Sequence, residues 1–224
     1  MQIIATSDGS NTLFHESLDE TYHSVHGALG ESLHVYINNG LKRVPTELKT
    51  INILEIGFGT GLNALLSIDH QAPDTNINYY SIEAFPLSEV LLNSYYQGFS
   101  EKPKSLEALI KLIHSQGLQT INEHFEFKLI ESKLEDLQLQ EYSFPAFDLV
   151  YFDAFAPSKQ PEMWSFEILK KVSELMANDG LFVTYCSQGQ FKRNLKELGF
   201  EIDNPPGPFG KREITVAKKI KAIV

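Results

Sequence analysis

"NILEIGFGTGLNALL", residues 52–66, sets a strand-like run, one carboxylate, three glycines and an apolar helix start in immediate succession. The aliphatic residues of 51–56 fit a buried strand, and Gly57, Gly59 and Gly61 follow at alternating positions. Glycine reaches positive φ and lets the backbone approach a ligand with no Cβ in the way. The helix that follows presents N–H groups with no partner inside the helix. Strand, glycine loop and helix start together predict a ligand-binding turn at the end of a sheet.

Working outward, "INYYSIEA" (77–84), "FEFKLI" (125–130), "FDLVYFDAF" (147–155) and "GLFVTYC" (180–186) read as further strands, and "EITVAKK" as a closing one. Helical stretches lie between them. One runs from Leu87 through His114, interrupted near Pro103. In another, Trp164, Ile168, Val172, Leu175 and Met176 keep helical spacing, and "NDG" is expected to end it. Apolar strands alternating with helices predict an α/β fold, a parallel sheet covered on both faces. The 224 residues fit one core, so a single domain over 1–224 is expected, with 1–45 as an N-terminal extension packed on it.

Hydrophobic residues at 42% and charged residues at 21% exclude a disordered chain. No apolar run approaches the ~20 residues of a membrane span, and the first residues lack the basic and apolar regions of a secretory signal. Cys186, alone, forms no internal disulfide and reads as a buried strand thiol. The cytoplasm is the expected address, and no metal site is expected. A net charge of −10 argues against a surface that grips nucleic acid everywhere. Yet no Lys or Arg precedes Lys42, whereas Lys192, Arg193, Lys196, Lys211, Arg212, Lys218, Lys219 and Lys221 crowd the end. A local phosphate-binding face and a solvated tail both fit that distribution.

The glycines follow G-x-G-x-G rather than the dinucleotide spacing, and Glu55 stands where an acid would repel a pyrophosphate. An acid there suits a ligand with a cationic end and no phosphate, such as S-adenosylmethionine. Glu83, closing the next strand, is placed to hold two ribose hydroxyls. For the adenine amino group Glu131, Glu135 and Asp136 all fall within reach, Asp136 being carried as the candidate, and Ser132 also fits that slot. Asn63 suits either the methionine part of the donor or the first turn of the helix. Asp153 ends the fourth strand facing the cleft, with Phe155 and Pro157 just after it. A carboxylate that accepts an amine N–H orients the lone pair and stabilises the charge that develops on nitrogen. Trp164 fits equally a packing residue and a base platform.

"LEIGFGTGLNALL", "EAFPLS", "FDAFAPSKQPEMW", "GPFGKREITVA" and the early "ETYHSVHGALGESLHVYINNGL" resemble the methyltransferase domain of the MnmC-type tRNA wobble-uridine modification enzymes. The resemblance runs from about Asp19 to Ala217. It implies a Rossmann-like class I S-adenosylmethionine-dependent methyltransferase fold, a mostly parallel seven-stranded sheet with an antiparallel last strand. It further implies methyl transfer to the 5-aminomethyl nitrogen of a wobble uridine of tRNA, often 2-thiolated, giving 5-methylaminomethyluridine. On that pattern Asp153 positions the amine, while Glu55, Gly57, Gly59, Asn63 and Glu83 hold the donor. Gly61 completes the glycine loop. Lys211, Arg212 and Glu213 match the family's "KRE" segment, at a cleft rim beside the RNA. Lacking room for the flavin oxidase of two-domain members, the chain resembles the stand-alone, MnmD-like form, which receives aminomethyl-uridine from a separate enzyme. Three rivals share the fold. A spermidine-synthase-like aminopropyltransferase wants a second aspartate after Asp153, where only Glu162 is present. A small-molecule N-methyltransferase fits the acidic surface. A degenerate binding module has no reason to keep Glu55, Glu83 and Asp153.

Overall fold

The computed structural model describes residues 1–113, 115, 117–210 and 212–220. His114, Lys211 and Lys221, named above, lie outside them. The chain opens with β1 (Gln2–Ala5), β2 (Asn11–His15) and β3 (Glu20–Thr21), an antiparallel three-stranded sheet. Helix α1 (Ala28–Ser32) runs on into a wider helical turn through Asn38.

The main sheet then builds in alternation: β4 (Thr50–Ile56), α2 (Leu62–His70), β5 (Asn76–Glu83), α3 (Glu89–Tyr96) and α4 (Leu106–Leu112). It continues with β6 (Gln119–Asn122), β7 (Phe125–Glu131), β8 (Phe147–Phe152), α5 (Phe166–Leu175) and β9 (Met176–Thr184). Helix α6 (Gly189–Glu197), β10 (Phe200–Asp203) and β11 (Thr215–Lys219) close it. Pro103 lies in the break between α3 and α4, as its missing N–H and fixed φ predict.

The strand order is β10-β11-β9-β8-β4-β5-β7-β6. The run from β9 to β7 is parallel, and β11 lies antiparallel between β9 and β10. This is the class I methyltransferase architecture, with its antiparallel last strand. An eighth strand, β6, joins the expected seven by pairing antiparallel with β7 at the edge.

The layers follow from strand alternation. On β4, Ile51 and Ile53 join the core cluster that holds Leu62 and Leu65 of α2, whereas Leu54 and Ile56 join the cluster of Ile168 and Leu169 of α5. The N-terminal sheet shares the first cluster through Leu13, and Asn11 Nδ2 donates to the Tyr95 carbonyl of α3 at 2.7 Å.

One boundary differs from expectation. Helix α5 stops at Leu175, and "NDG" lies inside β9 instead of ending the helix. Asp179 takes φ +64 there, and the β8–β9 register shifts between Phe147 and Leu149, so the segment is an irregular strand start. Cys186 is buried beyond β9, and burial pushes its thiol up. Among the described residues no helix is long and apolar enough to cross a membrane.

Candidate active site

The chain runs from β4 to β5 and β7 on one side, then returns to place β8 on the other side of β4. A ligand crevice forms at such a switch point, beyond the carboxyl ends of the strands. Here a cleft of about 540 Å³ opens, lined by Ile56, Ile82 and Asp153 at the ends of β4, β5 and β8. That volume falls within the usual range for a small-molecule site.

Gly57, Phe58, Gly59 and Thr60 form one wall. Gly57 has φ +88, and a Cβ there would sit 2.6 Å from the Asp153 carbonyl oxygen. Gly59 has φ +51, and a Cβ there would lie 3.0 Å from the Tyr22 ring. Both positions leave backbone bare towards the cleft. Gly61, the left-handed cap before α2, faces the Phe58 ring and Leu109 and is not among the lining residues.

Glu83 lines the cleft beside this loop. Its Oε2 accepts the Gly59 N–H at 3.1 Å and its Oε1 the Phe85 N–H at 2.9 Å, so the carboxylate is fixed in direction. Each oxygen keeps a further lone pair for a ligand hydroxyl. Tyr22 closes over the same wall, and burial together with the Glu83 charge raises its hydroxyl above the ordinary value.

Asp153 holds the opposite end. Its N–H donates to the Ile56 carbonyl at 2.8 Å, which ties it to the end of β4. The Tyr36 hydroxyl donates to Asp153 Oδ1 at 2.6 Å, and Asn63 Nδ2 donates to Oδ2 at 2.8 Å. Asn63 Nδ2 also donates to Glu55 Oε1 at 3.1 Å, and the Ser81 hydroxyl to Glu55 Oε2 at 2.9 Å. Glu55 is fully buried, and that burial raises its carboxyl to about 8. Asp153, half-buried at the cleft, and the buried Glu55 thus share one amide.

These distances correct two expectations. Glu55 does not line the cleft, because strand alternation sends its side chain to the α2 face with Ile51 and Ile53. Asn63 bridges the two carboxylates through Nδ2 and is not among the lining residues. Asp136 also misses the cleft. The 132–137 turn buries Leu134 and Leu137 and leaves Asp136 exposed, while Ser132, Lys133 and Glu135 line it. Phe155 does line it, with its ring 5.1 Å from Tyr22 and 5.9 Å from His15. Pro157 is half-buried and outside the lining.

Trp164 is a core residue, packed edge-on against Phe152 and Phe191. Its Nε1–H donates to the Phe155 carbonyl at 2.8 Å, so it supports the cleft from behind. Arg212 and Glu213 lie away from the lining, and Glu213 is paired with Lys192 at 2.8 Å. Lys211 lies outside the described residues.

The sequence reading missed Tyr22, Glu31, Tyr36 and Tyr185. Tyr22, Glu31 and Tyr185 line the cleft, and Tyr36 supports Asp153. Three of the four sit within "ETYHSVHGALGESLHVY", whose signal was a cluster of hydroxyls and acids ahead of the first main strand.

The profile of a family described as S-adenosyl-L-methionine-dependent methyltransferase matches residues 102–220. Among curated proteins, a tRNA 5-methylaminomethyl-2-thiouridine biosynthesis bifunctional protein MnmC from Cupriavidus necator is 29% identical, covering 89% of this chain and 32% of its own length. Its namesake from Pseudoalteromonas atlantica is 30% identical, covering 88% and 31%. The chain thus spans about a third of these relatives. A crystal structure of MNMC2 from Aquifex aeolicus superposes with a TM-score of 0.80 at 27% identity, over 100% of this chain and 71% of that one.

Proposed function

The chain belongs to the family of S-adenosyl-L-methionine-dependent methyltransferases, and from that premise we propose that it methylates the 5-aminomethyl nitrogen of the wobble uridine of tRNA, often 2-thiolated, giving 5-methylaminomethyl-(2-thio)uridine. The observation that carries this reading is Asp153, a carboxylate at the cleft gripped on both oxygens by Tyr36 and Asn63. The names of the MnmC relatives support the choice of acceptor.

The residues present fit the donor. Gly57 and Gly59 line the cleft with backbone alone, and Glu83 offers directed lone pairs to adjacent ribose hydroxyls. When bound, S-adenosylmethionine supplies an electrophilic methyl: the amine lone pair forms the N–C bond, the C–S pair stays on sulfur, and the product ammonium sheds one proton to water. Asp153 directs the amine. It acts by accepting an amine N–H and by stabilising the positive charge that grows on nitrogen. Burial keeps the Tyr36 hydroxyl protonated, so this donor is present throughout the physiological range.

On this reading the acceptor already carries its aminomethyl group on arrival, which requires an activity other than methyl transfer, and the cytoplasm is where tRNA is met. The test is to incubate the protein with methyl-labelled donor and tRNA from a strain accumulating 5-aminomethyluridine, then digest to nucleosides. Label in 5-methylaminomethyluridine is expected. Label absent from tRNA, with transfer to free small amines instead, would replace this reading.

A further inference from the structure

Resting on that reading of the acceptor, we propose that Asn63 is a positioning residue for the methyl transfer: its side-chain amide ties Asp153 to the buried base of the glycine loop. The acid that directs the amine and the loop that faces the donor then share one frame. In-line transfer tolerates little error in the distance or angle of the attacking nitrogen. An acid that directs the amine must therefore be held in direction itself.

Asn63 is the second residue of α2, and its carbonyl accepts the Ser67 hydroxyl at 2.8 Å. Its Nδ2 carries two N–H groups and meets two acceptors, Glu55 Oε1 at 3.1 Å and Asp153 Oδ2 at 2.8 Å. Glu55 is anchored in turn by the Ser81 hydroxyl of β5 at 2.9 Å. Glu55 and Asn63 flank the three glycines, so the first bond closes the loop at its base and the second carries that base to Asp153. The other amide orientation would face Oδ1 with Asp153 Oδ2, acceptor against acceptor, so the pairing itself assigns the N–H groups.

The two other roles open to Asn63 do not fit. An amide that serves a helix start accepts a backbone N–H through its oxygen, whereas Asn63 Oδ1 is buried with no hydrogen-bond partner among the described residues. A residue that touches the donor faces the cleft, whereas Asn63 is buried and outside the lining. The loop also keeps bonds of its own, from the Gly57 N–H to the Ile82 carbonyl at 3.0 Å and from the Gly61 N–H to the Phe58 carbonyl at 2.8 Å. Loss of the amide therefore falls on Asp153 and spares the donor.

The test measures donor affinity by calorimetry, and turnover at saturating donor on tRNA bearing 5-aminomethyluridine, for the full chain carrying Asn63→Ala, Asp153→Ala or both. Asn63→Ala should bind donor as wild type does and lose turnover by a factor of about 10–100. In the Asp153→Ala background the same substitution should cost almost nothing further, because the amide acts through Asp153. An equal loss in both backgrounds, weakened donor binding, or wild-type turnover each overturns the proposal. Asn63→Asp, of the same shape without the N–H groups, takes the place of Asn63→Ala where that variant fails to fold, with the same outcomes. Wild-type protein that leaves the tRNA unmethylated brings down the acceptor assignment and the proposal with it, an outcome told apart by the inactivity of the unaltered chain.

Discussion

Glu55 and Asp153 are both strand-end acids, and they have opposite fates. Asp153 projects beyond the end of β8 into the cleft, whereas Glu55 points into the core under α2. Sequence spacing located both residues, but the face of a strand on which an acid lies depends on register against its neighbours. Glu55 pairs across to Ser81 and Tyr151, and this fixes its direction. The buried carboxyl makes stability depend on pH. Its ordinary value is 4.5 and the folded value about 8. Below the lower value both states hold the proton and nothing is lost. Between the two the unfolded chain ionises while the folded one resists, so stability falls as pH rises and levels off above about 8. Glu55→Gln should remove this slope, on the order of a few kcal/mol between pH 5 and pH 8. Denaturant unfolding at both values is the measurement, and an unaltered slope would place the titration elsewhere.

The elements were the most legible scale. Runs of aliphatic and aromatic residues marked β4, β5, β7, β8 and β9 because both faces of a parallel sheet are buried. The short edge strand β6 and the strand β10 carry no such run, with burial half or less along most of their length. The N-terminal sheet was legible only as a small extension packed on the core, since β3 is two residues long and its role as a cleft wall depends on tertiary contact. The glycine loop was read correctly as a break between strand and helix, yet its tightest constraint, Gly57 against the Asp153 carbonyl, joins segments far apart in sequence. Gly57→Ala should cost about 1–3 kcal/mol from the positive φ alone. The clash should also displace Asp153 and weaken turnover. A melting curve and a rate at saturating donor check both, and wild-type values in each would show the loop to be slack.

At the scale of the whole molecule, the placement of charge is what makes an acidic chain compatible with the proposed RNA acceptor. Glu20, Glu31, Glu83, Glu135, Asp153 and Glu162 line the cleft, against Lys133 and Lys159, so the interior favours a cationic donor and an amine. Lys159 also reaches Asp19, in the turn between β2 and β3, at 3.5 Å, linking the two walls. The late basic cluster is partly spent inside the protein: Lys192 pairs with Glu213, and Lys219 caps the Ser173 and Met176 carbonyls. No linear pattern shows such pairings, which is why the count of late cations overstated the surface left for phosphate.

The proposed methyl transfer divides the labour of one cleft, Glu83 and the glycine loop serving the donor and Asp153 the acceptor. Titration calorimetry of S-adenosylmethionine into wild type and Asp153→Ala, paired with turnover on tRNA bearing 5-aminomethyluridine, tests it most directly. Donor affinity within about threefold of wild type, with turnover reduced by a factor of 10²–10³ or more, is the predicted result. Turnover that survives the substitution, or a donor that no longer binds, would contradict it.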